Sequence, residues 1–189
     1  MSQQWIDRCG RLCNQLLLLS LRIPFTIQVD DPKSLDAKLF VAPHICVFEG
    51  IVFLSVLGHC RPMSASFTKT IPIFGYFIKS LNPLYVERGK KSGGLTTALK
   101  KSLNEGRFRH LIFPEGTYSN GSRILKFKSG AFVPGHPVAP VALTFSQYAP
   151  FWNRQESSLI VQIYRVLSRP YTPVHIRFLP IVTPSKEEL

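Results

Sequence analysis

In the segment VAPHICVFEG (residues 41–50), His44 is followed after four residues by a carboxylate, Glu49, directly after a short apolar run. An imidazole with an ordinary pKa of about 6.5 is suited to taking a proton from a hydroxyl group. A carboxylate on its second ring nitrogen would fix the tautomer and stabilise the imidazolium once formed. On one straight helix the two side chains would diverge by roughly 140°, so they can meet only where the chain bends. Pro43 and the strand end before it supply such a bend, with His44 in a loop or at a helix start and Glu49 about a turn later. A glutamate at a helix start is favoured by the helix dipole in any case, so the spacing alone leaves a purely structural pair open.

Two further stretches hold groups that could bind a substrate. FPEGTYSNG (113–121) reads as a strand end followed by a turn, in which Gly116 permits close backbone approach and Thr117 offers a hydroxyl beside the Glu115 carboxylate. YVERGKKSG (85–93) places Arg88, Lys90 and Lys91 between a strand and the start of a helix, where a guanidinium fork and helix-end amides both favour phosphate. A solvated charge run on a turn is the plainer reading of the two lysines. His59, His110, His136 and His175 have no carboxylate at a productive spacing and are expected to pack or face solvent. Cys9, Cys13, Cys46 and Cys60 form no CxxC pair and no cluster with zinc spacing, so no metal site is expected and reduced thiols are the default.

The elements that must position these groups alternate between short apolar runs and helical patterns from residue 38 onward, as in an α/β domain. Strands are expected at 38–42, 63–67, 84–88, 109–113 and 137–143, with a final pair at SLIVQIY (158–164) and VHIRFLPIV (174–182). Helices are expected at 49–58, 72–80 and 90–106, the last with Leu95, Ala98, Leu99 and Leu103 on one face and Gly106 as its cap. Residues 3–22 space Trp5, Cys9, Leu12, Cys13, Leu16 and Leu19 as on an amphipathic helix that lies in a membrane interface or packs on the core. The domain boundary is drawn there: 1–29 as the N-terminal amphipathic, membrane-associating helix and 30–189 as the catalytic domain.

The chain has 189 residues and carries 23 Lys+Arg against 11 Asp+Glu, a formal net charge of +12, which favours an anionic partner such as a phosphorylated substrate or an anionic lipid surface. It also holds 14 Phe and 15 Pro, and some of that apolar surface is expected to face lipid. The apolar stretch 16–29 is interrupted by Arg22 and Pro24, short of the roughly 20 residues a membrane span needs, and no small-residue cleavage site follows Leu19. P-loop, GxGxxG, RNP-type and C2H2 patterns are missing, which argues against nucleic acid as the partner.

APHICVFEG, NPLYVERGKKSG, FPEGTYSNGSRILKFKSGAFVPG and PVAPVAL follow one another in the order of the four motif blocks of the glycerolipid acyltransferases, the lysophosphatidic acid acyltransferase superfamily with its PlsC-like domain. KFKSGAF most resembles the lysophosphatidylcholine acyltransferase branch. The resemblance covers about residues 40–145. It implies a mixed sheet flanked by helices and acyl transfer from acyl-CoA, as co-substrate without further cofactor, to the free hydroxyl of a lysophospholipid. His44 would be the general base, Glu49 its orienting acid, Arg88 the phosphate clamp, and Glu115, Gly116 and Thr117 the acceptor-binding wall. It further implies association with an internal membrane such as the endoplasmic reticulum, with the catalytic domain facing the cytosol. Glu49 departs from the family's usual aspartate, and the extra methylene requires the ring to shift or the carboxylate to fold back. A catalytically weak or inactive lipid-binding relative of the same fold is the alternative.

Overall fold

The three residues of strand β2, Leu39–Val41, are all buried. A strand covered on both faces reads as a continuous apolar run, and its alternation sends Leu39 and Val41 to one face and Phe40 to the other. In a computed structural model that describes residues 3–46, 48–72, 74–86, 93–119, 121, 123–132, 135–145 and 159–185, β2 is the middle strand of a seven-stranded sheet. The other strands are β1 (Phe25–Val29), β3 (Cys60–Ala65), β4 (Leu84–Val86), β5 (Arg109–Ile112), β6 (Ala139–Phe145) and β7 (Val174–Phe178), in the order β1-β7-β6-β2-β5-β3-β4. From β6 to β4 all pairings are parallel, whereas β7 runs antiparallel to β6 and carries β1 parallel to itself. The sheet is therefore mixed, as the sequence implied.

Helices cover both faces. On the Phe40 face, Val52, Phe53 and Leu57 of α2 (Glu49–Leu57) join Leu18 of α1 (Gln3–Ser20), Val166 of α5 (Leu159–Leu167) and Phe77 of α3 (Phe74–Ser80) around Phe40, Leu111 and Phe178. Phe40 and Phe178 meet edge to face with centroids 6.2 Å apart. On the opposite face, Leu99 and Leu103 of α4 (Gly93–Glu105) close over Leu39, Val41 and Ile112. Gly106 ends α4 with φ +65°, the left-handed residue its position called for.

Three sequence expectations need correction. SLIVQIY is not a strand: α5 begins at Leu159, and burial of Gln162 and Val166 with half-burial of Ile163 is helical spacing despite the β-branched residues. The strand expected at 63–67 instead starts at Cys60 and ends at Ala65. There the Thr68 hydroxyl bonds the Ala65 carbonyl and the Ser64 hydroxyl, curling residues 66–70 into a 3-10 turn. Residues 25–29, grouped with the N-terminal helix, form β1 and pair with β7, because α1 stops at Ser20 and Arg22 takes φ 56° before Pro24.

Candidate active site

His44 and the PEGT turn project from the same end of adjacent parallel strands, the carboxyl ends of β2 and β5, which is where open α/β sheets place their ligand crevices. Residues 42–46 are non-helical, and Glu49 is the first residue of α2. From there its side chain folds back over the preceding turn. Oε2 accepts the backbone N–H groups of Ile45 (2.8 Å) and Cys46 (3.1 Å), and Oε1 pairs with Nδ1 of His44. The longer glutamate is accommodated by this return, and the non-helical stretch 42–46 supplies the chain bend that the spacing required.

The Glu49 side chain is 1% exposed and that of His44 21%. A carboxylate so deeply buried needs compensation, which the two amides, the imidazole and the N-terminal end of α2 supply. With Nδ1 facing an acceptor-only group, the neutral ring is assigned as the Nδ1–H tautomer. Nε2 keeps its lone pair and has no protein hydrogen-bond partner among the described residues. Burial pushes the imidazole pKa down, to about 3, so the resting ring is neutral at pH 7. The carboxylate at Nδ1 acts in the opposite direction and favours the imidazolium.

Sequence reasoning missed how the ring is clamped. Phe113 stacks on it at 4.2 Å with a 10° interplanar angle, and Tyr118 lies 4.0 Å away at 41° on the ring. The Ser119 N–H donates to the His44 carbonyl at 2.9 Å, joining the turn to the histidine segment through the backbone. The signal lay in the FPEGTY stretch itself, where an aromatic residue stands on either side of the PEGT turn.

Glu115 is buried, and its Oε2 has no hydrogen-bond partner among the described residues. Gly116 has φ +64°, and a Cβ there would fall 2.7 Å from the Lys128 ammonium nitrogen. Lys128 also donates its backbone N–H to the Pro114 carbonyl (2.8 Å), so the KFKSG segment lies over the turn and brings a cation across Gly116. Thr117 is half-buried in the same turn. Arg88, with Lys90 and Lys91, lies outside the described residues, as does any contact it makes with Glu115.

Beside the histidine, a cavity of about 330 Å³ runs between the strand ends and the 121–127 loop, lined among others by Pro43, Ile45, Glu115, Ile124, Pro140 and Leu143. Its walls are mostly apolar. A wider hollow of about 590 Å³ along Thr96, Lys100 and Asn104 of α4 lies on the helix surface and contains neither His44 nor Glu49. His44 and Glu49 do not line the 330 Å³ cavity either, but Pro43 and Ile45 on either side of His44 do, together with Glu115 and Ser119 of the neighbouring turn. His110 is buried on β5 in register with Leu39 and Arg61; burial first, and then the Arg61 charge, lower its pKa to about 4. It takes no part in the strand-end constellation. Among the described residues no group of three His, Cys, Asp or Glu side chains could hold a metal ion, and no helix is long and apolar enough to cross a membrane.

Comparison with known proteins bears on the fold and the family. The sequence pattern of the Acyltransferase family matches residues 30–144. Human lysophosphatidylcholine acyltransferase 2 is 31% identical over 163 residues, covering 82% of this chain and 30% of the relative. The lysophospholipid acyltransferase LPEAT2 of Arabidopsis thaliana is 26% identical over 188 residues, covering 97% of this chain and 34% of the relative. The crystal structure of the 1-acyl-sn-glycerophosphate acyltransferase PlsC from Thermotoga maritima superposes with a TM-score of 0.69 at 18% identity, over 98% of this chain and 73% of that one, a likeness of fold. The chain belongs to the Acyltransferase family, within the glycerolipid acyltransferase superfamily. It spans about a third of the length of these curated relatives.

Proposed function

We propose that this domain moves a fatty acyl group from acyl-CoA to the free hydroxyl of a lysophospholipid, with His44 as the general base. The observation that carries the reading is one imidazole held at Nδ1 by a buried, amide-anchored carboxylate, on a segment whose Pro43 and Ile45 line an apolar cavity. In the forward step the acceptor hydroxyl gives its proton to Nε2 while its oxygen attacks the thioester carbonyl. The tetrahedral intermediate collapses, the C–S bond breaks, and the departing CoA sulfur takes the proton back from the imidazolium. No acyl-enzyme is formed. Glu49 acts through the histidine, holding its tautomer and offsetting the positive charge that appears on the ring.

Arg88 is assigned to the acceptor phosphate, and Glu115, Gly116 and Thr117 to the wall against which the headgroup rests. The apolar cavity suits an acyl chain. The excess of 23 Lys+Arg over 11 Asp+Glu suits both the phosphates and an anionic membrane, with α1 as the membrane-associating element. An internal membrane such as the endoplasmic reticulum, with the domain on its cytosolic side, is the location this reading carries. The competing reading, a lipid-binding relative without activity, drew on glutamate at position 49. The contact that Glu49 makes with His44 favours the catalytic one.

The test is transfer of labelled acyl groups from acyl-CoA to a panel of detergent-dispersed lysophospholipids that differ in headgroup. One or more should be acylated with release of free CoA. An Arg88→Lys variant should raise the KM for that acceptor, because an ammonium keeps the charge but not the two-pronged hydrogen bond. No transfer to any member of the panel would contradict the proposal.

A further inference from the structure

α5 presents an unusual side to water. Gln162 and Val166 are buried, whereas Ile160, Tyr164 and Leu167 are 78%, 70% and 48% exposed. At 3.6 residues per turn those three lie within about 60° of one another around the helix. A surface helix ordinarily turns such a row inward, and this one is turned out with a glutamine in the core. α1 does the same. Trp5, Leu12, Leu16 and Leu19 are all more than half exposed and again fall within about 60°, while Leu18 is buried in the core.

The two helices end at the same edge of the molecule. The Thr172 N–H donates to the Arg22 carbonyl and the Val174 N–H to the Pro24 carbonyl, each at 2.9 Å, so the chain leaving α5 lies against the chain leaving α1. The strands they lead into start together, with Phe25 in register with Val174. Val174 in turn faces Phe145, the last residue of β6. Because β6 is parallel to β2, this edge is the carboxyl end of β2, the end that carries His44. Leu16, Leu19, Leu167 and Tyr171, all exposed, therefore stand at the rim of the sheet end that holds the site. Five arginines, Arg8, Arg11, Arg22, Arg165 and Arg169, lie on or just beyond the two helices, against one acidic residue, Asp7, in residues 3–24 and 159–171.

We infer that the exposed rows of α1 and α5 form a single docking face for an anionic phospholipid bilayer. This goes beyond the proposed function, in which α1 alone meets the membrane. The apolar rows suit the acyl region of the interface and the excess of arginine in the two segments suits anionic headgroups. Docking there brings the His44 end of the sheet to the surface where lysophospholipid acceptors and diacyl products reside.

The test is flotation of the purified chain with phosphatidylcholine vesicles with and without phosphatidylserine. The parent is compared with Ile160→Gln/Tyr164→Gln/Leu167→Gln and with Leu12→Gln/Leu16→Gln/Leu19→Gln. Each triple variant should weaken vesicle binding roughly ten-fold or more, binding should be stronger on the anionic vesicles, and the six-fold variant should not float. The substituted side chains are exposed, so circular dichroism and acyl transfer to a detergent-dispersed acceptor should match the parent. Parent-like flotation of the α5 variant overturns the inference, as does failure of the parent to float on either vesicle. A lower oligomeric state of the α5 variant on a sizing column, with flotation unchanged, would assign the face to a second copy of the chain. A parent that floats yet transfers nothing in detergent contradicts the proposed function and leaves the docking face standing.

Discussion

The carboxylate of Glu49 reaches back across the first turn of α2 to Nδ1 of His44 with one oxygen and to the amides of Ile45 and Cys46 with the other. Glutamine offers one acceptor and one donor in place of two acceptors, so Glu49→Gln must leave either the amides or the ring N–H facing a donor. We expect kcat to fall about a hundred-fold with little change in acceptor KM, because the lost interaction matters most when the ring becomes charged. Stability should fall by about 1–3 kcal/mol for the buried donors left unpaired, read from urea unfolding. Glu49→Asp keeps both acceptors and should lose far less activity than the glutamine variant. Equal losses would mean that reach, not charge, sets the function of this side chain.

Tyr118 and Phe113 hold the imidazole plane, and a partly buried aromatic contact of this kind is worth about 0.5–1.5 kcal/mol. Tyr118→Ala should therefore lower kcat by up to about ten-fold while leaving the unfolding midpoint close to the parent's, since Tyr118 is only half-buried. Unchanged steady-state kinetics would show that the ring is held by Glu49 and Phe113 alone.

Burial depresses the His44 pKa to about 3, so the folded protein holds this ring neutral at a pH where an unfolded chain, with a pKa of about 6.5, protonates it. The stability this contributes is present in full above about pH 6.5 and is lost as pH falls from there toward 3. His44→Asn should flatten the parent's pH dependence of unfolding free energy over that window. The acid limb of kcat/KM for acyl transfer should correspondingly lie below pH 6.5. An acid limb above 7 would mean that the carboxylate outweighs burial in the free enzyme.

Gly116 combines φ +64° with the Lys128 side chain across its open face. In Gly116→Ala the lysine can swing aside, because the atoms in the way are the far end of a flexible chain, but the backbone conformation remains unfavourable. Stability should fall by about 1 kcal/mol. Acceptor KM should rise with the displaced cation, and a variant with the parent's KM would place the headgroup away from this turn.

Much of this site was legible because its chemistry is concentrated in contiguous motifs. His44, Glu49 and the PEGT turn are each fixed by local chain geometry; β2 is a short unbroken apolar run and β5 ends in Leu111 and Ile112, each with a proline just beyond. What the sequence did not reveal depends on contacts between distant segments. The Ser119 amide on the His44 carbonyl, the Phe113 and Tyr118 rings and the Lys128 side chain all join residues through the fold. α5 was misread because isoleucine and valine favour strands when packing does not decide, and here the burial of Val166 in the core cluster that holds Phe40 and Phe178 did decide. β1 was hidden because Phe25–Val29 has its pairing partner almost 150 residues later.

The central claim is that His44 is the base. The most direct measurement is the rate of acyl transfer from labelled acyl-CoA to the lysophospholipid acceptor by the parent and by His44→Ala, under single-turnover conditions in detergent. Circular dichroism and the unfolding midpoint serve to confirm that the variant is folded. The account predicts that the folded variant loses transfer by about 10²–10⁴-fold, the usual contribution of a positioned base, while still binding acyl-CoA. A folded His44→Ala protein that transfers acyl groups at the parent's rate would contradict it.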